Sequence, residues 1–72
     1  MSPEGRAYLA AHRASVKAVK ARADLPAGSS RARITTANAR WKSAAEERDR
    51  LEAYVKPDEL KAIRERIAKE EA

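Results

Sequence analysis

The chain has 72 residues, a formal net charge of +5 and no cysteine, and 38% of its residues are charged. This length allows one small domain, and the lack of cysteine excludes a disulfide framework and a thiolate zinc site. Because no run of about 18 consecutive apolar residues occurs, the sequence predicts neither a membrane span nor a secretory signal, and we expect a soluble cytoplasmic protein.

The first predicted element is a helix over residues 3–23. Ser2 and Pro3 suit its N-cap and first position. At about 100° per residue, one stripe carries most of its larger apolar side chains and should face a core. His12 is expected to be packed or hydrogen-bonded there rather than to act as a ligand or general base, because it has no suitably spaced partner. The stripe contains Tyr8, Leu9, His12, Val16, Val19 and Ala23.

The second predicted element is a long helix over residues 30–55, after a loop at 24–29 in which either of two serines can act as the cap. Pro57 ends it. Its apolar positions alternate in steps of three and four, which is typical of a coiled-coil seam. This seam, which could pack on the first helix or on a partner, contains Ile34, Ala37, Trp41, Ala44, Arg48, Leu51 and Val55.

The polar member of the seam, Arg48, could extend its charged end to water or could meet Glu46, Glu47 or an acid of a partner. Trp41 should contribute to packing or to a partner contact rather than stack on a base.

A third helix is predicted over residues 57–69, with Leu60, Ile63 and Ile67 on its inner face. No segment alternates with a period of two over the length of a strand. The predicted fold class is therefore all-α, as one domain over residues 1–72. We expect a small helical hairpin or three-helix bundle whose long central helix carries the coiled-coil-like seam.

The charge is unevenly distributed along the chain. Residues 1–42 carry nine Lys or Arg against two acids, whereas residues 43–72 carry seven against nine, so the two parts have net charges of about +7 and −2. Several cations of the second part have an acid four residues earlier, in the order that favours a helical ion pair. The cations of the first part have no such partner, and we expect them to bind an external anion.

Two faces concentrate these cations. One ridge of the first helix carries Arg6, Arg13, Lys17 and Lys20, beside a face of alanines. The second helix begins with Arg31 and Arg33, which oppose its dipole unless a phosphate binds there. Its next turns add a hydroxyl, an amide that could bind adenine, and another cation. The candidate nucleic-acid-binding residues are Arg6, Arg13, Lys17, Lys20, Arg31, Arg33, Thr35, Asn38 and Lys42.

The sequence thus predicts a non-enzymatic, accessory or regulatory nucleic-acid-binding protein. DNA is favoured over RNA because helical faces fit the DNA major groove and no RNA-stacking aromatic array is present. No catalytic residue, metal, cofactor, small-molecule substrate or membrane partner is predicted. The alternative is a helical assembly adaptor, such as a small subunit or inhibitor, that binds an acidic protein surface. A homodimer formed through the seam also fits the pattern.

Overall fold

A computed structural model describes residues 1–71, and Ala72, the last residue of the predicted domain, lies outside the described part. These residues contain three helices, α1 (Pro3–Ala23), α2 (Arg31–Glu52) and α3 (Pro57–Glu71), and no strand. Helix α1 packs mainly against α2. The predicted all-α fold is therefore confirmed. None of the helices in residues 1–71 has both the length and the apolar character needed to cross a membrane.

Local chemistry sets the starts of the first two helices. The Ser2 hydroxyl accepts a hydrogen bond from the Gly5 amide at 3.0 Å, and Pro3 occupies the first position, where its missing N–H has no cost. The Ser30 hydroxyl accepts from the Arg33 amide at 3.2 Å. Just before that cap, Gly28 has a φ of +82°, which glycine adopts without strain and which turns the chain back on itself.

Two helix ends differ from the prediction. Helix α2 ends at Glu52 instead of 55, because the Tyr54 and Val55 amides bond to carbonyls three residues earlier and form a tight turn. This turn places the Val55 side chain in the core. Helix α3 continues to Glu71 instead of ending at 69.

The three helices run up, down and up. Leu51, near the end of α2, packs on the cluster that contains Tyr8 and Leu9, so α1 and α2 form an antiparallel hairpin. Near the start of α1, Ser2 donates from its amide and hydroxyl to Glu59 near the start of α3. Since the far end of α3 contacts His12 and Arg13, α3 is parallel to α1 but covers only its first half.

The hydrophobic core lies where all three helices meet. Ile63 is its most buried large side chain, at 1% exposure, and Ser15 is buried with its hydroxyl donated to the His12 carbonyl at 2.7 Å. We call residues 1–13 and 43–71 the base. The buried apolar side chains of the core are Tyr8, Leu9, Ala11, Val55, Ile63 and Ile67.

Residues 14–42 form an arm, in which only α1, the loop and α2 are present. The expected core stripe of α1 was wrong here, because Val16 and Val19 are 40% and 48% exposed. They lie beyond the end of α3, which has 15 residues against the 21 of α1. Helix α2 contains no fully buried residue.

Candidate nucleic-acid interface

The arm carries all of the net positive charge of the protein. It has seven cations and one acid, Asp24, and thus a formal charge of +6. The base has nine cations and ten acids, and thus a charge of −1, which together with the arm gives the +5 of the chain. The arm cations are Lys17, Lys20, Arg22, Arg31, Arg33, Arg40 and Lys42.

Within residues 1–71, six of these seven cations form no ion pair. The exception is Lys42, whose Nζ is 4.0 Å from Glu46 Oε1, with both side chains well exposed. Such a pair contributes little free energy, because water and salt screen it. In the base, by contrast, Arg13, Arg48, Arg50, Arg64 and Arg66 each pair with an acid.

A groove of about 540 Å³ runs between α1 and α2 on one face of the arm. Lys17 from α1 and Arg33 and Arg40 from α2 line it, so cations from both helices border the same space. Ala14 lies about 200° around α1 from His12, which contacts α3, so this groove face is turned away from α3. Its floor consists mainly of small side chains, among them Ala14, Ala18, Ala21, Ala32 and Ala37.

The predicted ridge on α1 is divided between the base and the arm. Arg13 is not free as expected, because its Nη2 is 3.0 Å from Glu70 Oε1 in α3. The hydrogen bond from Arg13, aided by Arg66, lowers the pKa of the Glu70 carboxyl below its ordinary value of 4.5. Arg6 also lies in the base, and of this ridge only Lys17 borders the groove.

The predicted cluster on α2 lies on a different face from the groove. At about 100° per residue, Arg33 and Arg40 point nearly opposite to Arg31, Asn38 and Lys42. Thr35 points in the same direction as that second set and is exposed. One straight duplex therefore cannot contact both sets closely, and the nine predicted binding residues do not form one surface.

Trp41, in the seam, is 37% exposed, and the Arg22 guanidinium lies 5.0 Å from the centre of its ring. This arrangement is a cation–π contact. Ile34 is 43% exposed, whereas Ala37, Ala44 and Leu51 are partly buried. The seam thus packs loosely against α1 along the arm.

Arg48 is partly buried and pairs with Asp49 at 3.0 Å, rather than with Glu46 or Glu47. His12, also partly buried, has its Nε2 3.2 Å from Glu71 Oε1. Both contacts lie in the base. The His12 contact joins α1 to α3, whereas the Arg48 pair lies within α2, and neither residue borders the groove.

Sequence reasoning did not place Arg40 among the nucleic-acid-binding residues. The signal that could have found it is its spacing of seven residues from Arg33, which puts both on one side of α2 next to Thr36 and Ala37.

The chemistry available on the arm is that of cations, hydroxyls and small apolar side chains. Within residues 1–71, no group of three or more histidine or acidic side chains is arranged to hold a metal ion. No family model, no curated protein and no solved structure matches this chain, so its function has to be inferred from its own residues.

Proposed function

We propose that this protein binds nucleic acid, with DNA preferred over RNA, through the groove face of its arm. The observation that carries the proposal is the formal charge of +6 on residues 14–42, where six cations form no ion pair within residues 1–71. Unneutralised cations attract the phosphate backbone and release its counterions on binding, which is the main source of affinity in sequence-independent complexes.

The groove face is the part of the arm best suited to a phosphate backbone. Arg33 and Arg40 are seven residues apart on α2, about 10.5 Å at a rise of 1.5 Å per residue. Two cations that far apart can contact different phosphates of one DNA strand, which carries a charge about every 3.4 Å of the duplex axis. Lys17 borders the groove from α1, and the alanine floor leaves no long side chain in the way.

Binding of this kind would be largely independent of sequence. Phosphate contacts position a protein on a duplex, whereas specificity needs contacts to base edges. Asn38, the side chain best suited to recognise adenine, lies on the other side of α2 from Arg33 and Arg40. We therefore expect an accessory role as a binding protein rather than as an enzyme, and the cytoplasmic location expected from the sequence would give access to nucleic acid.

The salt dependence of binding tests the proposal. Affinity for a labelled random duplex of about 20 base pairs is measured by fluorescence anisotropy from about 50 to 200 mM salt. Three phosphate contacts predict a slope of about −2.7 for log K against log salt. Replacing Lys17, Arg33 and Arg40 together with glutamine should remove most of that slope and most of the affinity.

The matched control replaces Lys56, Lys61 and Lys69 with glutamine. These three exposed lysines lie in the base, form no ion pair within the described chain, and give the same change of net charge. The control should keep most of the slope. If both triple variants lose binding equally, the effect is one of net charge alone and the groove is not the interface. Absence of association at low salt would reject nucleic-acid binding.

A further inference from the structure

The face of the arm opposite the groove carries exposed apolar side chains. Val16 and Val19 of α1, and Ile34 and Trp41 of α2, are four of the six exposed large hydrophobic residues in residues 1–71. Scattered exposed apolar residues are ordinary on a protein surface, but a cluster of them marks an interaction site. This cluster is separate from the groove, which none of these four side chains lines.

All four side chains lie on the side that α3 covers in the base. Val16 and Val19 follow His12 by about one and two turns on the same face of α1, and His12 contacts α3. Ile34 precedes Glu52 by five full turns, so the two point in the same direction, and Glu52 pairs with Arg64 of α3. The apolar face therefore extends along the arm the surface on which α3 packs in the base. We call that surface the seat of α3.

Helix α3 shows which kind of helix this seat accepts. It places Ile63 and Ile67, four residues apart, in the core of the base. Next to them, its acids Glu70 and Glu71 meet Arg13 and His12 of α1. The seat thus accepts a helix with aliphatic residues on one stripe and carboxylates beside that stripe.

The cations around the apolar face favour a helix that carries acids, as the cations of α1 in the base do. Lys20 lies beside Val16 on α1, and the Arg22 guanidinium lies over Trp41. On α2, Arg31 and Lys42 lie beside the stripe of Ile34 and Trp41. A second copy of the arm would bring one +6 surface against another, which disfavours a homodimer here. The acidic helix of a second copy is also occupied, because its apolar stripe is buried in its own base.

We propose that the face formed by Val16, Val19, Ile34 and Trp41 binds an acidic amphipathic helix of a partner protein, lying along the arm in line with α3. This inference concerns the opposite face of the arm and does not depend on the groove binding nucleic acid. The bound helix of the partner would pack on α1 and α2 in the arm as α3 packs on them in the base.

Trp41 makes this face directly observable, because it is the only tryptophan in the chain. The probe is a synthetic peptide of about three heptads with leucine at the seam positions, glutamate beside them and no tryptophan, which spans roughly 30 Å when helical. Titration of the peptide should shift the Trp41 emission to shorter wavelength, with saturation. Val16→Ser and Ile34→Ser should each weaken binding by about tenfold.

Matched controls separate the face from general effects. Tyr54→Ser changes an exposed large side chain of the base and should leave peptide affinity unchanged, with helicity of each variant checked by circular dichroism. The triple glutamine variant of the groove should also keep peptide binding. A failure of nucleic-acid binding alone would then reject only the proposal for the groove. A failure of peptide binding alone would reject only the proposal for the apolar face.

Several results would overturn the proposal. Equal binding of a peptide with lysine in place of glutamate would remove the charge argument. Equal binding of a scrambled, non-amphipathic peptide with the same residues would show that the apolar face does not select the helix. An emission shift that depends on protein concentration alone would assign the face to a second copy. A shift with duplex DNA that Ile34→Ser abolishes would assign it to nucleic acid. No binding of the acidic peptide at low salt would reject the face as a helix site.

Discussion

In the base, three helices enclose Ile63 and Ile67 and pair most arginines with acids, whereas in the arm two helices present alanines, exposed apolar residues and unpaired cations. Both regions are built from α1 and α2, so helix type does not explain the difference. The presence of α3 does. Where it covers the hairpin, the core side chains are buried and the ion pairs Arg13–Glu70 and Arg64–Glu52 join α3 to α1 and α2. Where it is absent, large apolar side chains and most cations face solvent.

The two regions should also differ in how they are stabilised. Alanine has the highest helix propensity, and its small side chain allows α1 and α2 to approach closely, but it buries little apolar surface. Since α2 has no fully buried residue, the arm has a weak core of its own. We expect the arm to open locally at lower free energy than the base, which suits a surface that binds partners.

The largest expected effect separates the two regions by their cores. Ile63→Ala, at a position 1% exposed, should lower the free energy of unfolding by about 2–5 kcal/mol, because it leaves a cavity in the base. Ile34→Ala, in the arm, should cost less than about 1 kcal/mol. Urea unfolding followed by circular dichroism measures both, and equal costs would contradict the division into base and arm.

The next effect is expected at the start of α2, where cations that could bind phosphate oppose the helix dipole. Arg33→Glu would place an acid three residues after the Ser30 cap. There its carboxylate can accept a hydrogen bond from the Ser30 amide and interact favourably with the positive end of the helix dipole. We expect the free energy of unfolding to rise by about 0.5–1 kcal/mol and the affinity for duplex DNA to fall. Thermal unfolding and anisotropy measure the two effects.

The control for that variant is Arg40→Glu, which makes the same charge change in the middle of α2. It should weaken DNA binding without stabilising the helix. If Arg33→Glu stabilises the protein and leaves the affinity and its salt slope unchanged, Arg33 does not contact the nucleic acid.

A smaller effect tests whether α3 competes with phosphate for a cation. Glu70→Gln should release both Arg13 and Arg66 from their ion pairs with this carboxylate, and it should return Arg13 to the ridge that contains Lys17. We expect DNA affinity to rise by about two- to threefold and the salt slope to steepen by less than about one unit. Glu65→Gln removes the same charge without releasing Arg13, and an equal increase in both variants would show that Arg13 plays no part.

The smallest expected effect is the acid dependence of the base. Hydrogen bonds from Ser2, Arg13 and Arg50 hold the pKa values of Glu59, Glu70 and Glu47 below their ordinary value of 4.5. A lowered folded-state pKa gives stability that is present above pH 4.5 and is lost as the pH falls through the folded value.

Urea midpoints measured between about pH 6 and pH 3 should therefore fall towards acid. The decline should be smaller in Glu59→Gln, which has no carboxylate to titrate beside Ser2. A midpoint that stays constant or rises towards acid would show that these hydrogen-bonded carboxylates do not stabilise the base.

Local signals in the sequence were enough to predict the three helices and the Ser2 cap, and to limit the second cap to Ser29 or Ser30. Pro3, Ser30 and Pro57 set where the helices start, because they act on their own backbone and need no distant partner. The end of α2 was missed by three residues, since the tight turn that ends it also directs Val55 into a core that includes residues from α1 and α3.

The arrangement of the candidate site depended on contacts that periodicity does not reveal. The stripe on α1 continues to Val19, but only the position of α3 determines that Val19 is exposed. Arg13 and Glu70 are 57 residues apart, so their ion pair has no local signal. The excess charge of the arm could be counted from the sequence, whereas the face on which each cation lies required the pairing of the two helices.

The most direct test of the central claim is a titration of the isotope-labelled protein with random duplex DNA, followed by amide and side-chain NMR. We predict that the amides of Ala18 and Ala37 and the guanidinium groups of Arg33 and Arg40 change first, while the amide of Ile63 stays constant. Changes centred on the base, or an absence of changes at low salt, would contradict the assignment of nucleic-acid binding to the arm.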